Sequence, residues 1–199
     1  MMGKIIWLDF LKNKKNLLIK ICLPFLLVFL SYQIGFGNLA LVMVLIFTII
    51  TGAGLKIVQL KNEGLYSRLM TAPISKRRLF VEVTTSSIGL YFLQFLPTIL
   101  LGVYYNQLEM FVFLLLSIVL VVVIGTLVGV HSRSFGQIHL NSLLTVLPLA
   151  GLGMIPVSVS YFFPFIYVAK SLYSLEGIFF SSLVALGFFF LLVIDVSRL

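Results

Sequence analysis

Residues 62–78 read NEGLYSRLMTAPISKRR, the longest polar run in a chain that is otherwise almost continuously apolar. The spacing inside it predicts a short helix over about 63–75. Leu65 and Leu69 stand four apart and share a face. Glu63, Ser67 and Thr71 fall on another face, with Arg68 between the two. An acid near the start suits the positive end of the helix dipole. Ala72-Pro73 closes the helix, because a residue before proline disfavours helical backbone. Lys76, Arg77 and Arg78 then lead into the next apolar run at the depth of lipid phosphates. Two readings fit: a helix that docks on another protein, and a helix that lies flat on lipid with a basic anchor.

The rest of the chain explains why such an interruption stands out. Hydrophobic residues make up 61% of it and charged ones 10%, with a mean hydropathy of +1.18. Soluble domains carry about 25% charged residues, so a water-soluble fold of 199 residues would lack polar material for its surface. The expected fold is an all-α integral membrane protein in a single domain. Six spans are predicted, at about 17–34, 39–58, 79–103, 110–130, 140–156 and 177–196. Residues 3–16, GKIIWLDFLKNKKN, mix apolar residues with lysines and are too short to cross, which predicts an amphipathic interfacial helix. No small-x-small cleavage site follows them, so they are read as retained rather than as a signal peptide.

Charge placement gives the orientation. With the N-terminus inside and six spans, 13 of the 14 Lys and Arg residues fall on the cytoplasmic side and only Lys170 outside. The positive-inside rule therefore places both termini and residues 59–78 in the cytoplasm. A net charge of +8 distributed in this way reports topology, and nucleic acid is not an expected partner. The acids Asp9, Glu63, Glu82, Glu109, Glu176 and Asp195 lie in loops or near span ends, unlike the mid-membrane ionisable groups of ion-coupled carriers. His131 and His139 fall in or beside one predicted loop, HSRSFGQIH, with no further ligand near them, so no metal site is expected. The sequence has no GxxxxGK[ST], HExxH or GxSxG pattern, so it offers no catalytic motif and no phosphate loop of its own. Cys22 is read as a packing residue.

The run NEGLYSRLMTAPISKRRLF resembles the loop between the second and third spans of type-2 ABC transporter permeases. That loop has an acid, a glycine, residues including Arg and Leu, and a Thr-x-Pro-x-Ser turn, matched here by Glu63, Gly64, Arg68, Leu69, Thr71, Pro73 and Ser75. The layout of the whole chain is similar too. The resemblance implies a permease that pairs as a homo- or heterodimer and sits on two cytoplasmic ATPase subunits. Residues 63–75 would then be the coupling helix, with Glu63, Gly64, Leu65, Arg68, Leu69, Thr71 and Pro73 as its docking residues. The chain itself would need no cofactor; ATP and magnesium would bind the partner ATPase. The expected place is the plasma membrane, and the expected cargo an amphipathic or lipid-like molecule.

Residues 157–176, VSVSYFFPFIYVAKSLYSLE, are too short to cross twice and too apolar for a free loop. Phe162, Phe163, Pro164 and Tyr167 are read as part of a re-entrant hairpin at the outer interface, where buried backbone must be satisfied by protein. A seventh full span is the competing reading. Two other functions remain open from sequence: a membrane-anchored structural or regulatory partner that moves nothing, and an ATP-independent channel or carrier.

Overall fold

In a computed structural model, residues 14–62, 76–154, 163–172 and 174–198 are described, and all their regular structure is helical. The helices are α1 (Lys14–Gln33), α2 (Gly37–Asn62), α3 (Lys76–Tyr105), α4 (Met110–His131), α5 (Phe135–Met154), α6 (Pro164–Lys170) and α7 (Leu175–Arg198). Four carry stretches long and apolar enough to cross a membrane: Gly37–Asn62, Phe80–Tyr105, Met110–His131 and Glu176–Asp195. The apolar part of α1, Leu18–Gln33, is shorter. The described residues therefore form an all-helical fold with the character of a membrane protein.

The position of α4 follows from its composition. It is apolar on every side, and such a helix is driven to the centre of its bundle. Residues around its whole circumference are buried, among them Phe113, Leu114, Val121, Val122 and Val123. It packs on α2, α3, α5, α6 and α7. The outward faces of α1, α5 and α7 remain apolar and exposed, as at Leu26, Leu144, Leu147, Leu183 and Phe190. In a bilayer, acyl chains or another apolar surface cover such faces.

The backbones of α2 and α4 approach each other closely. A Cβ added at Gly129 would lie 2.7 Å from the Gly54 carbonyl oxygen and 2.8 Å from Gly54 Cα. One at Gly125 would lie 2.9 Å from Ile50 Cα. Gly125 and Gly129 are four apart, the small-xxx-small pattern that lets helix backbones approach where no hydrophobic effect drives helices together.

α3 turns a polar stripe inward. Thr84, Ser87, Tyr91, Gln94 and Thr98 recur at spacings of three and four, and all are buried. Gln94 repairs a defect in α1. Pro24 has no N–H to give the carbonyl four residues earlier. That carbonyl belongs to Lys20, and Gln94 Nε2 donates to it at 3.2 Å. In hydrocarbon such a carbonyl needs a protein partner.

Helix directions alternate between two ends. One end gathers Tyr32, Asn38, Asn106 and Ser171; the other gathers Lys61, the last turn of α4, and Asp195. Several boundaries differ from the sequence reading. α2 runs to Asn62, four residues past the expected end, because Lys61 finds carbonyl partners on α4. α5 begins at Phe135 rather than near 140, since Ser134 Oγ accepts from the Gln137 N–H at 3.2 Å and caps its first turn. The expected loop over HSRSFGQIH shrinks accordingly to Ser132–Ser134, and His139 lies on α5. Residues 3–13 of the expected interfacial helix lie outside the described residues, and 14–16 belong to α1.

Candidate coupling site

The docking residues expected from the sequence, Glu63, Gly64, Leu65, Arg68, Leu69, Thr71 and Pro73, lie outside the described residues. The two helices that carry this segment, α2 and α3, are described up to Asn62 and from Lys76. What holds them at that end is therefore open to inspection.

Lys61, the penultimate residue of α2, is half-buried against the C-terminus of α4. The last four carbonyls of a helix have no partner within it and carry the negative end of its dipole. Lys61 Nζ donates to three carbonyl oxygens there: Gly129 at 3.2 Å, Ser132 at 3.2 Å, and Val130. An ammonium has three donors and no acceptor, so this arrangement uses its full capacity. α5 is tied in as well. Ser132 Oγ donates to Val128 O at 2.7 Å and accepts from Asn141 Nδ2 of α5 at 2.9 Å. His131 Nε2 lies 3.5 Å from Asp195 Oδ2 of α7. A groove of about 320 Å³ opens beside these contacts, lined by Leu127, Val128, His131, Asn141, Leu144 and Thr145. Among the described residues no group of three His, Cys, Asp or Glu side chains converges on a metal position.

The opposite end is held by neutral groups. Asn38 and Asn106 exchange amide hydrogen bonds, both at 2.9 Å. Tyr32 Oη donates to Asn38 Oδ1 at 2.5 Å and accepts from Asn106 Nδ2 at 3.1 Å. Asn38 Nδ2 reaches Ser171 Oγ at 2.6 Å. The network joins the ends of α1, α2, α3 and α6. Two helix endings of one kind feed it. After α1, Gly35 adopts φ +82°, with Phe36 N–H on Ser31 O and Gly35 N–H on Tyr32 O. After α6, Ser171 adopts φ 53°, with Leu172 N–H on Tyr167 O and Ser171 N–H on Val168 O. Both are Schellman endings, which use a left-handed residue to satisfy the last carbonyls.

Of the residues assigned to the expected outer hairpin, Phe162 lies outside the described residues, as do the others from 157 to 161. Phe163 precedes α6, Pro164 opens it, and Tyr167 is buried within it. The Tyr167 ring stacks on Phe113 of α4 with centroids 4.8 Å apart. It also fills the space a Cβ on Gly177 of α7 would need, 2.6 Å away. These residues act in packing at the neutral end, far along the chain axis from the Lys61 contacts.

The sequence reading missed Lys61, Asn38, Asn106 and the Gly125/Gly129 pair. The glycine pair carried a readable signal, since GTLVG is a small-xxx-small pattern inside an apolar run. The two asparagines sat in short turns and had none. No family model, curated protein or solved structure matches the chain significantly.

Proposed function

We propose that the chain is the membrane-spanning permease subunit of an ATP-driven exporter, with residues 63–75 as its coupling helix. In this reading six helices cross the plasma membrane, α1 to α5 and α7, with both termini in the cytoplasm and α6 at the outer interface. The subunit pairs with a second permease and sits on cytoplasmic ABC ATPases that bind ATP and magnesium. Its cargo is amphipathic or lipid-like: a peptide, drug, lipid or glycolipid. It hydrolyses nothing itself.

One observation carries the reading. The segment with the acid-Gly, Arg-Leu and Thr-x-Pro-x-Ser pattern joins α2 to α3 at the end where Lys61 grips α4. A push on that segment is useful only if its roots are stiff, and the Lys61 contacts supply stiffness at one root. The strong bias of Lys and Arg toward the same side supports the orientation.

Leu65 and Leu69 would fill an apolar groove on the ATPase, each contributing about 1.5–3 kcal/mol when fully buried. Leu69→Asp is therefore expected to weaken assembly at least about tenfold, since about 1.4 kcal/mol is one decade. The measurement is co-purification of the ATPase, with ATP hydrolysis and transport in liposomes. Wild-type amounts of ATPase and wild-type transport with Leu69→Asp would remove the coupling assignment. It would leave 63–75 as a lipid-surface helix in which Lys76, Arg77 and Arg78 dominate.

A further inference from the structure

We infer that Lys61 is a positioning residue that makes α2 and α4 move as one body, so that a force on residues 63–75 reaches the centre of the bundle through α4. The role in transport rests on the permease reading above; the mechanical statement does not.

Three observations lead here. First, Lys61 is the last residue but one of α2, so the segment 63–75 begins two residues after it. Second, its ammonium holds the Gly129, Val130 and Ser132 carbonyls together. Those carbonyls belong to the final turn of α4 and its cap, where the dipole is most negative. Hydrogen bonds to a charged donor are about twice as strong as neutral ones. Third, the same two helices are in backbone contact further up, where Gly125 and Gly129 meet Ile50 and Gly54. Two helices joined at a glycine seam and pinned again at their common end resist both sliding and splaying. A lysine that served only to mark topology would point into water, whereas this one adds a second partner to the Gly129 carbonyl, which the Ser132 N–H already reaches, and serves those of Val130 and Ser132.

The position of α4 gives the pin its reach. This helix touches α3, α5, α6 and α7. Its other end meets α6 through Phe113 and Tyr167. Motion given to α2 at its root is thereby delivered to the end of the bundle that holds the neutral network. Without the Lys61 contacts, the root of α2 could shift while α4 stayed in place.

The test compares Lys61→Met, which keeps an unbranched side chain but no donors, with Lys61→Arg, which keeps a charged donor. Spin labels are placed at Asn62 and Arg133, both exposed, in full-length protein with Cys22→Ser, reconstituted in liposomes. The distance distribution between them is expected to be narrow in the parent, broadened in Lys61→Met, and narrow again in Lys61→Arg. If Lys61→Met fails to insert, Lys61→Ala, which also lacks donors, carries the same comparison. Unchanged width on removing the donors overturns the inference, whatever the protein transports. With the ATPase bound, cargo moved per ATP is expected to fall about tenfold in Lys61→Met, the equivalent of one charged hydrogen bond, while hydrolysis continues. A broadened distribution with full coupling would reject the role in transport and leave the pin as a structural contact. Absence of any ATPase partner would sink the permease reading and leave the width measurement decisive.

Discussion

The two ends of the bundle solve one problem by opposite means. Both must tie together helix termini whose backbone groups have lost their partners. At the basic end a single cation, Lys61, serves three carbonyls on α4. At the other end, Tyr32, Asn38, Asn106 and Ser171 share bonds between neutral side chains among four elements. The cationic clasp joins two helices whose backbones already touch at Gly129 and Gly54. The neutral network joins four elements, among which α1 packs on both α2 and α3. The difference teaches where each end can yield. A network of exchangeable amides and hydroxyls re-forms with new partners or water after a shift. A charge held against a helix dipole has no equally good neighbouring position.

The largest expected effect comes from the seam beneath the clasp. Gly129→Leu places a side chain where backbone atoms of Gly54 lie under 3.0 Å from even the first carbon. Backbone on both helices must move, because no flexible side-chain end can give way. Overpacking typically costs about 1–3 kcal/mol, and the upper end of that range is expected where backbone must move. Unfolding in mixed micelles should show a loss of that size. A stability close to the parent would mean that α2 and α4 do not approach as described.

A smaller loss is expected at the neutral end. Asn106 Nδ2 reaches Tyr32, Asn38 and the Gly102 carbonyl, and its Oδ1 accepts from Asn38. Asn106→Leu removes all of these and leaves Asn38 with fewer partners. Interhelical hydrogen bonds in membranes average about 0.6 kcal/mol, so several lost together come to about 1–2 kcal/mol. A double-mutant cycle with Asn38→Leu should show clear coupling, because the two amides pair with each other. Additive losses would show that they do not act as a unit.

How far the sequence carried can be judged element by element. The helical class followed from apolar run length alone, which is a strong signal because hydrocarbon tolerates little else. Helix ends were less legible, since they depend on partners elsewhere in the chain. α2 gained a turn because Lys61 met α4, and α5 started early because Ser134 and Gln137 capped it. The inward polarity of α3 was also missed. Thr84, Ser87, Tyr91, Gln94 and Thr98 look unremarkable along the chain and align only when wound into a helix. At the candidate site, residues 63–75 themselves lie outside the described residues, and the contacts at the end of α2 pair Lys61 with Gly129 and Ser132, groups too distant in sequence for local spacing to reveal.

The smallest effect, and the one that best separates backbone strain from hydrogen bonding at the neutral end, lies at Ser171. This residue is left-handed at φ 53°, the only described non-glycine residue with positive φ. Its counterpart after α1 is Gly35 at φ +82°, which adopts the conformation without a side-chain clash. The serine keeps a conformation that disfavours it and uses its oxygen to accept from Asn38 at 2.6 Å. Two substitutions separate the terms. Ser171→Ala keeps the strain and loses the bond, so it should destabilise by about 0.6 kcal/mol. Ser171→Gly loses the same bond but releases the strain of a left-handed Cβ, about 1 kcal/mol. It should therefore match or slightly exceed the parent in stability, with alanine the less stable of the two by about 1 kcal/mol. Equal stability of the two variants would mean that Ser171 carries no backbone strain. A glycine variant weaker than the alanine one would mean that the chain after α6 turns by another route, and that the resemblance between the endings of α1 and α6 does not hold.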